Sequence, residues 1–197
     1  MKTLALQFTG IRPLVCHNSR LNDPLDPITA KIKDITRKPG RDRTVDDIRA
    51  MEDLEFDGGL YLSVDGEPVI PTDNIEACLR DGAKKSKLGK KLESSVFVSD
   101  PADEVPILYE GPKTAKAMKQ DPRFVLRRPA KLNGKSRVMR IRPMFPTGWQ
   151  LQFTLSYDEG VVSEKDIIRA AVDAGTLCGL GDWKPKFGRF LVEKVED

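Results

Sequence analysis

Six arginines between Arg123 and Arg142 (Arg123, Arg127, Arg128, Arg137, Arg140 and Arg142) are the residues best suited to one kind of chemistry. A planar guanidinium fork grips phosphate and stacks on bases in a way that a lysine does not. They lie in a stretch, Lys113 to Arg142, that holds eleven basic residues against the single acid Asp121. A second cluster comprises Arg80, Lys84, Lys85, Lys87, Lys90 and Lys91, whereas Asp42, Asp46, Asp47, Glu52, Asp53, Glu55 and Asp57 form an acidic segment. With 33 Lys and Arg against 30 Asp and Glu, the net charge of +3 is small. A basic stripe on such a chain predicts a localised polyanion contact rather than general stickiness. Arg137, Arg140 and Arg142 are candidate contacts, with Arg140 and Arg142 sharing a strand face. Arg80, Lys84 and Lys85 are also candidates, although the two lysines equally complement the dipole of a helix ending there.

Other chemistries lack their residues. His17 is the sole histidine, which excludes a two-histidine nuclease and a histidine-built metal site, and a Cys16-His17 pair lacks zinc-chelating spacing. There is no Walker loop, GxSxG elbow or CxxC motif. Cys16, Cys78 and Cys178 are odd in number and widely spaced, so single thiols rather than disulfides are expected. No cofactor or metal is expected. No apolar run approaches the roughly 20 residues that span a bilayer, and Gln7 interrupts the opening apolar stretch too early for a secretory signal. The reading is a soluble, cytoplasmic protein without a membrane partner.

The elements that must position these residues follow from period and punctuation. A chain of 197 residues suits one domain with sizeable insertions. Thr3 to Ile11 alternates as a strand. Residues 16–43 read as an excursion with at most a short strand near Ala30 to Ile35. Thr44 to Leu54 reads as a helix that Thr44 caps toward Asp47, and Phe56 to Val64 as a strand ended by an Asp65-Gly66 turn. Asp73 to Lys85 reads as a helix, with Thr72 or Asp73 as N-cap and Glu76 completing a capping box. Val96 to Val98 reads as a short strand, and residues 99–122 as a second excursion with a helix at Thr114 to Gln120. Arg123 to Arg128, a turn at Asn133-Gly134, Ser136 to Met144, a Pro146-Thr147-Gly148 turn and Trp149 to Tyr157 form a compact antiparallel unit. Ser163 caps a helix to Ala174 with Asp166, and Gly175 is its C-cap. Without insertions at about 12–58 and 99–122, the order is strand, helix, two or more strands, helix, strand. That is an α+β, ferredoxin-like antiparallel sheet with two helices on one face.

Three places in this order carry a family resemblance. The terminal segment Gly179-Leu180-Gly181, Lys184, Lys186, Phe187-Gly188-Arg189-Phe190 resembles the glycine-rich loop of the RAMP superfamily (repeat-associated mysterious proteins), RRM-like proteins of CRISPR effector complexes. Glu67 to Arg80 resembles the Pro-x-Ile-Pro-Gly-Ser-Ser-like stretch that opens the family's first helix, with Thr72-Asp73-Asn74 in place of the small residues. Gly10-Ile11-Arg12-Pro13-Leu14-Val15 matches how backbone members begin.

The resemblance implies a single RAMP-type domain that binds RNA or single-stranded DNA. Backbone N–H groups exposed at Gly179, Gly181 and Gly188, with Lys184, Lys186 and Arg189, would hold phosphates without reading bases. Trp183 either stacks on a base, an interaction of about 1–3 kcal/mol, or anchors the loop, whereas Trp149 is expected in the core. The partners implied are nucleic acid together with a homo-oligomer or a CRISPR-type complex, the excursions reaching neighbouring subunits. Two other readings stand beside it. In one, a RAMP-fold endoribonuclease uses His17 as general base, or Asp23 or Asp26 in the loop after the first strand, where both acids precede prolines and also suit turns. In the other, a viral protein imitates or blocks a CRISPR-type complex, docking its acidic 42–57 segment on a basic surface.

Overall fold

A computed structural model of the chain describes residues 1–132 and 136–195. The chain divides into two compact units: Met1–Leu14, Leu62–Glu110 and Phe145–Asp197 form the first, Val15–Tyr61 and Gly111–Met144 the second.

The first unit is built on β1 (Lys2–Gly10), whose Leu4, Leu6 and Phe8 are buried on one side of the strand. It pairs antiparallel with β8 (Gln150–Tyr157) in the register Leu6↔Phe153 and with β9 (Phe190–Lys194) in the register Phe8↔Val192. Strand β4 (Val96–Val98) pairs antiparallel with the far side of β8, giving the order β4-β8-β1-β9. Two helices join these strands, α3 (Thr72–Ala83) between β1 and β4 and α6 (Glu164–Asp173) between β8 and β9. The succession β1-α3-β4-β8-α6-β9 in this strand order is the ferredoxin-like topology. The helices lie side by side on one face. A Cβ at Gly82 would stand 2.1 Å from the Ala170 carbonyl oxygen, so a glycine is required for α3 to approach α6 this closely. Ile75, Cys78 and Leu79 of α3 and Ile167, Ala170 and Ala171 of α6 close the core against the sheet.

Within this unit β3 (Val69–Pro71) pairs with β5 (Glu104–Pro106), and the Leu108 and Gln150 backbones exchange hydrogen bonds of 2.9 and 2.8 Å. With Val105 and Ile107 buried, the first half of the expected second excursion is part of this core. A deletion from residue 101 onward therefore removes core side chains. Glu76 does not complete a capping box. Thr72 donates its N–H to the Asp103 carbonyl, Pro71 precedes the helix without a side-chain cap, and the Glu76 carboxylate accepts from Val98 N at 2.8 Å, tying β4 to α3. The short α4 (Gly89–Ser95) leads into β4. Ser163 and Asp166 do form the expected capping box of α6. Gly175 is no cap, because the chain continues in a wide turn over Ala174–Cys178 and stops at Gly179. Gly175 is small instead because Phe190 O would lie 2.3 Å from its Cβ.

The second unit departs further from expectation. Strands β6 (Val125–Leu132) and β7 (Ser136–Phe145) pair as an antiparallel hairpin, as the sequence suggests. They form a separate sheet with β2 (Leu14–Val15), in the order β2-β7-β6, instead of joining the ferredoxin-like sheet. The physical reason is that both edges of β8 are occupied, one by β1 along its length and the other by β4. The expected Asn133-Gly134 turn lies outside the described residues. Residues read as strands near Ala30 and Phe56 are helical. In α1 (Pro27–Arg37), Asp26 accepts from the N–H groups of Ile28 and Thr29 and Pro27 sits at the first position, a combination that favours a helix start. The capping box of Thr44 and Asp47 opens α2 (Val45–Gly59) as expected. That helix runs on through Phe56 because Phe56 and the following Leu60, one turn apart, are both buried. A short α5 (Ala115–Gln120) follows Thr114, with Met118 fully buried.

Candidate nucleic-acid interface

Between the end of α6 and the start of β9, the chain forms a loop closed by its own backbone. Leu180 N donates to Gly188 O, and Gly188 N to Pro13 O, both at 2.8 Å. Gly179, Gly181 and Gly188 have φ of +79°, +82° and +70°, where a side chain is strained. At Gly188 the requirement is absolute, since a Cβ would fall 1.7 Å from the Leu180 carbonyl oxygen. Loop closure thus accounts for this glycine. Leu180 and Phe187 fill the loop's interior, Trp183 is half-buried with its ring centroid 6.4 Å from that of Phe187, and Trp149 is in the core as expected. Cys78 donates its thiol to Gly179 O at 3.3 Å. Burial pushes this thiol up to about 12, mainly by desolvation.

Facing this loop is the C-terminal end of α3. The Asp81 carboxylate accepts from Lys84 Nζ at 2.8 Å and from Lys184 Nζ at 3.1 Å, joining two cations distant in sequence. Partial burial pushes the Asp81 carboxyl up, but the two lysine hydrogen bonds outweigh it and hold the group below its ordinary value. Arg80 pairs with Glu93 at 2.7 Å. Lys85 and Lys186 are exposed and have no carboxylate partner among the described residues. Asp81 is the residue that sequence reasoning misses. An acid inside a basic run looks like charge balance until the fold brings Lys184 beside it.

The three hairpin arginines sit in the second unit and behave differently. Arg140 donates to Glu55, whose side chain is 6% exposed and also accepts from Ile141 N at 2.9 Å. Arg142 is buried, and its Nη1 donates to Ile141 O at 3.0 Å. Only Arg137 of the three is exposed. Arg127 pairs with Glu52 at 2.8 Å and Lys119 with Asp57 at 3.0 Å. The acidic segment and much of the basic stretch, separate along the sequence, neutralise each other inside this unit. Contrary to expectation, Arg140 and Arg142 do not together present a free basic face.

The two acids proposed for cleavage have structural partners, and His17 is held through its backbone carbonyl. Asp26 accepts from Ile28 N at 2.8 Å and Arg20 Nε at 2.9 Å. Desolvation raises its pKa, but the Arg20 and helix N–H bonds prevail and hold it below the ordinary value. Asp23 accepts from Leu25 N at 2.9 Å, and the half-buried His17 accepts at its carbonyl from the Tyr61 hydroxyl at 3.1 Å. No group of three or more metal-ligating side chains is assembled among the described residues. No helix among them is long and apolar enough to cross a membrane.

No protein-family model matches the chain, and no curated protein matches it. Among solved structures it is similar, at 14% identity and a TM-score of 0.45, to a chain in the cryo-EM structure of a Type III-B Cmr-beta complex bound to cognate target RNA. The match covers 99% of this chain and spans 60% of the length of that one.

Proposed function

We propose that the ferredoxin-like unit binds single-stranded nucleic acid, RNA or DNA, through its phosphate backbone, in the manner of a RAMP-type protein that multimerises along the strand. The observation that carries this reading is the Lys84–Asp81–Lys184 bridge. It joins the end of α3 to the glycine-rich loop, and these two segments also carry Lys85 and Lys186, exposed and without a carboxylate partner among the described residues. Lysines in this arrangement attract phosphates as point charges without discriminating bases. The sequence resemblance to RAMP proteins falls on the same loop and on the segment leading into α3. Arg140 and Arg142 are left out of this reading, because both are engaged with protein groups.

A gel shift with labelled single strands across a salt series, with and without magnesium, tests the proposal. Salt-sensitive binding with an intact strand supports it. Cleavage would replace it with the endoribonuclease reading, and absence of binding would favour a protein-binding role.

A further inference from the structure

Helix α2 carries Val45, Ile48 and Met51 at intervals of three residues, a spacing that sets them along one side of a helix. In the second unit this stripe is not covered. Ile48 and, on β7, Met139 are each 41% exposed, and Ile35, Met51 and Val138 are only half-buried. These five apolar side chains line one cavity of about 630 Å3, together with Arg43, Glu52, Arg127 and Arg140. Every one of these residues belongs to the second unit. The volume is that of a small-molecule site, and such sites combine an apolar wall with a few polar groups.

The charges in the lining decide what an occupant must carry. Arg127 is neutralised by Glu52 at 2.8 Å, and Arg140 by the buried Glu55. Arg43 has no carboxylate partner among the described residues. Its Nε donates to Lys38 O at 3.1 Å and its Nη2 to Thr36 O at 2.7 Å, which pins the guanidinium at the C-terminal end of α1. Its Nη1 makes no hydrogen bond among the described residues. Arg43 therefore supplies the one uncompensated charge of the cavity. A single anionic head matches it, whereas a second negative charge would meet Glu52. We propose that this cavity binds a small amphipathic monoanion, an apolar body bearing one carboxylate. The body lies against Ile35, Ile48, Met51, Val138 and Met139, and the head lies on Arg43. The unbranched side chains of Met51 and Met139 can repack around bodies of different shape. This site goes beyond the nucleic-acid reading, because a strand carries repeated charges and the lining offers one.

The full chain is titrated with octanoate, octanol and octyltrimethylammonium below their micelle-forming concentrations, and binding is followed by NMR of the methionine methyl groups. The Met51 and Met139 signals should shift to saturation while that of the fully buried Met118 stays in place. Octanoate should bind about tenfold more tightly than octanol, because its charged head gains a charge-assisted hydrogen bond, and the cation more weakly than either. I48A trims an exposed side chain, so thermal melting should be unaltered, while octanoate and octanol should both bind about fivefold more weakly. R43Q should bring octanoate to the level of octanol and leave octanol unchanged. R43K keeps the charge and should restore part of the preference, and the comparison of the three ligands on the wild-type chain keeps the test valid if R43Q folds poorly. Equal binding of octanoate and octanol to the wild-type chain overturns the anionic head. Shifts that spare Met51 and Met139, or affinities that I48A leaves unchanged, overturn the location. Absence of octanoate binding overturns the site, and a peptide of alternating leucine and glutamate that shifts Met51 and Met139 where octanoate does not would reassign the cavity to a protein partner.

Discussion

Asp81 and Lys184 are 103 residues apart in the chain and meet at 3.1 Å, with Lys84 on the same carboxylate. The bridge links the last turn of α3 to the loop before β9. It also sets a competition, since the carboxylate that gathers the lysines occupies donors a phosphate would use.

That competition predicts the behaviour of D81N. The three side chains are partly exposed, and such pairs contribute little, so the substitution should cost about 0.5 kcal/mol of stability by chemical denaturation. Removing the acid frees both ammonium groups, so single-strand binding should be at least as tight at low salt, with a steeper salt dependence. The pH dependence has a definite sign. The folded carboxyl lies below its ordinary 3.8, so the bridge is complete above that value and is lost only as the pH falls through the depressed folded pKa. An NMR titration showing Asp81 protonating at or above 3.8 would contradict the bridge.

Substitutions in the hairpin should affect folding rather than binding. R140A leaves the buried Glu55 carboxylate with Ile141 N but without its cation. Breaking a buried pair from one side costs about 3–5 kcal/mol. The exposed R137A should stay within about 0.5 kcal/mol of wild type. Thermal melts of the two variants check this, and equal melting temperatures would mean that the Glu55 pair contributes nothing.

What could be read in the sequence was what local chemistry fixes. The alternation of Leu4, Leu6 and Phe8, the capping boxes at Thr44 and Ser163, and the order of the ferredoxin-like elements were legible because each is decided within a few residues. The separate sheet of β6 and β7 was not, because a hairpin signal identifies a pair of strands and does not say which sheet they join. The helix through Phe56 was hidden because Phe56 to Val64 reads as a strand until the burial of Phe56 and Leu60, one turn apart, is known. For the candidate site, the basic residues of the loop and of α3 were visible as charges. Which of them are already bound to acids depends on contacts such as Arg140 with Glu55, 85 residues apart.

Glycine positions offer a graded test of loop closure. Gly188 and Gly66 both have positive φ, +70° and +80°. A Cβ at Gly66 meets nothing within 4 Å, whereas one at Gly188 overlaps the Leu180 carbonyl. G66A should therefore cost only the backbone strain, about 1 kcal/mol, and G188A about 3 kcal/mol or more. Comparable losses in urea denaturation would mean that the loop opens without penalty.

The buried thiol of α3 predicts an alkaline instability. Desolvation raises Cys78 from its ordinary 9.0 to about 12 in the fold, outweighing the nearby Lys184 charge, which lowers it, and the thiol donates to Gly179 O. Below about pH 9 the thiol is protonated in both folded and unfolded chains, and its full contribution is present. As pH rises from about 9 toward about 12, the unfolded chain loses the proton while the folded chain retains it, so stability falls by about 1.4 kcal/mol for each pH unit. C78A carries no such proton, so between pH 9 and 11 its stability should fall less steeply than that of the wild-type chain. In the same range an alkylating reagent should reach Cys178, which is partly exposed, before Cys78. Mass spectrometry of the native protein after brief alkylation follows both sites. Rapid modification of Cys78 in the folded chain would show that the α3–loop contact opens readily, and would remove the physical basis for a fixed surface at Asp81 and Lys184.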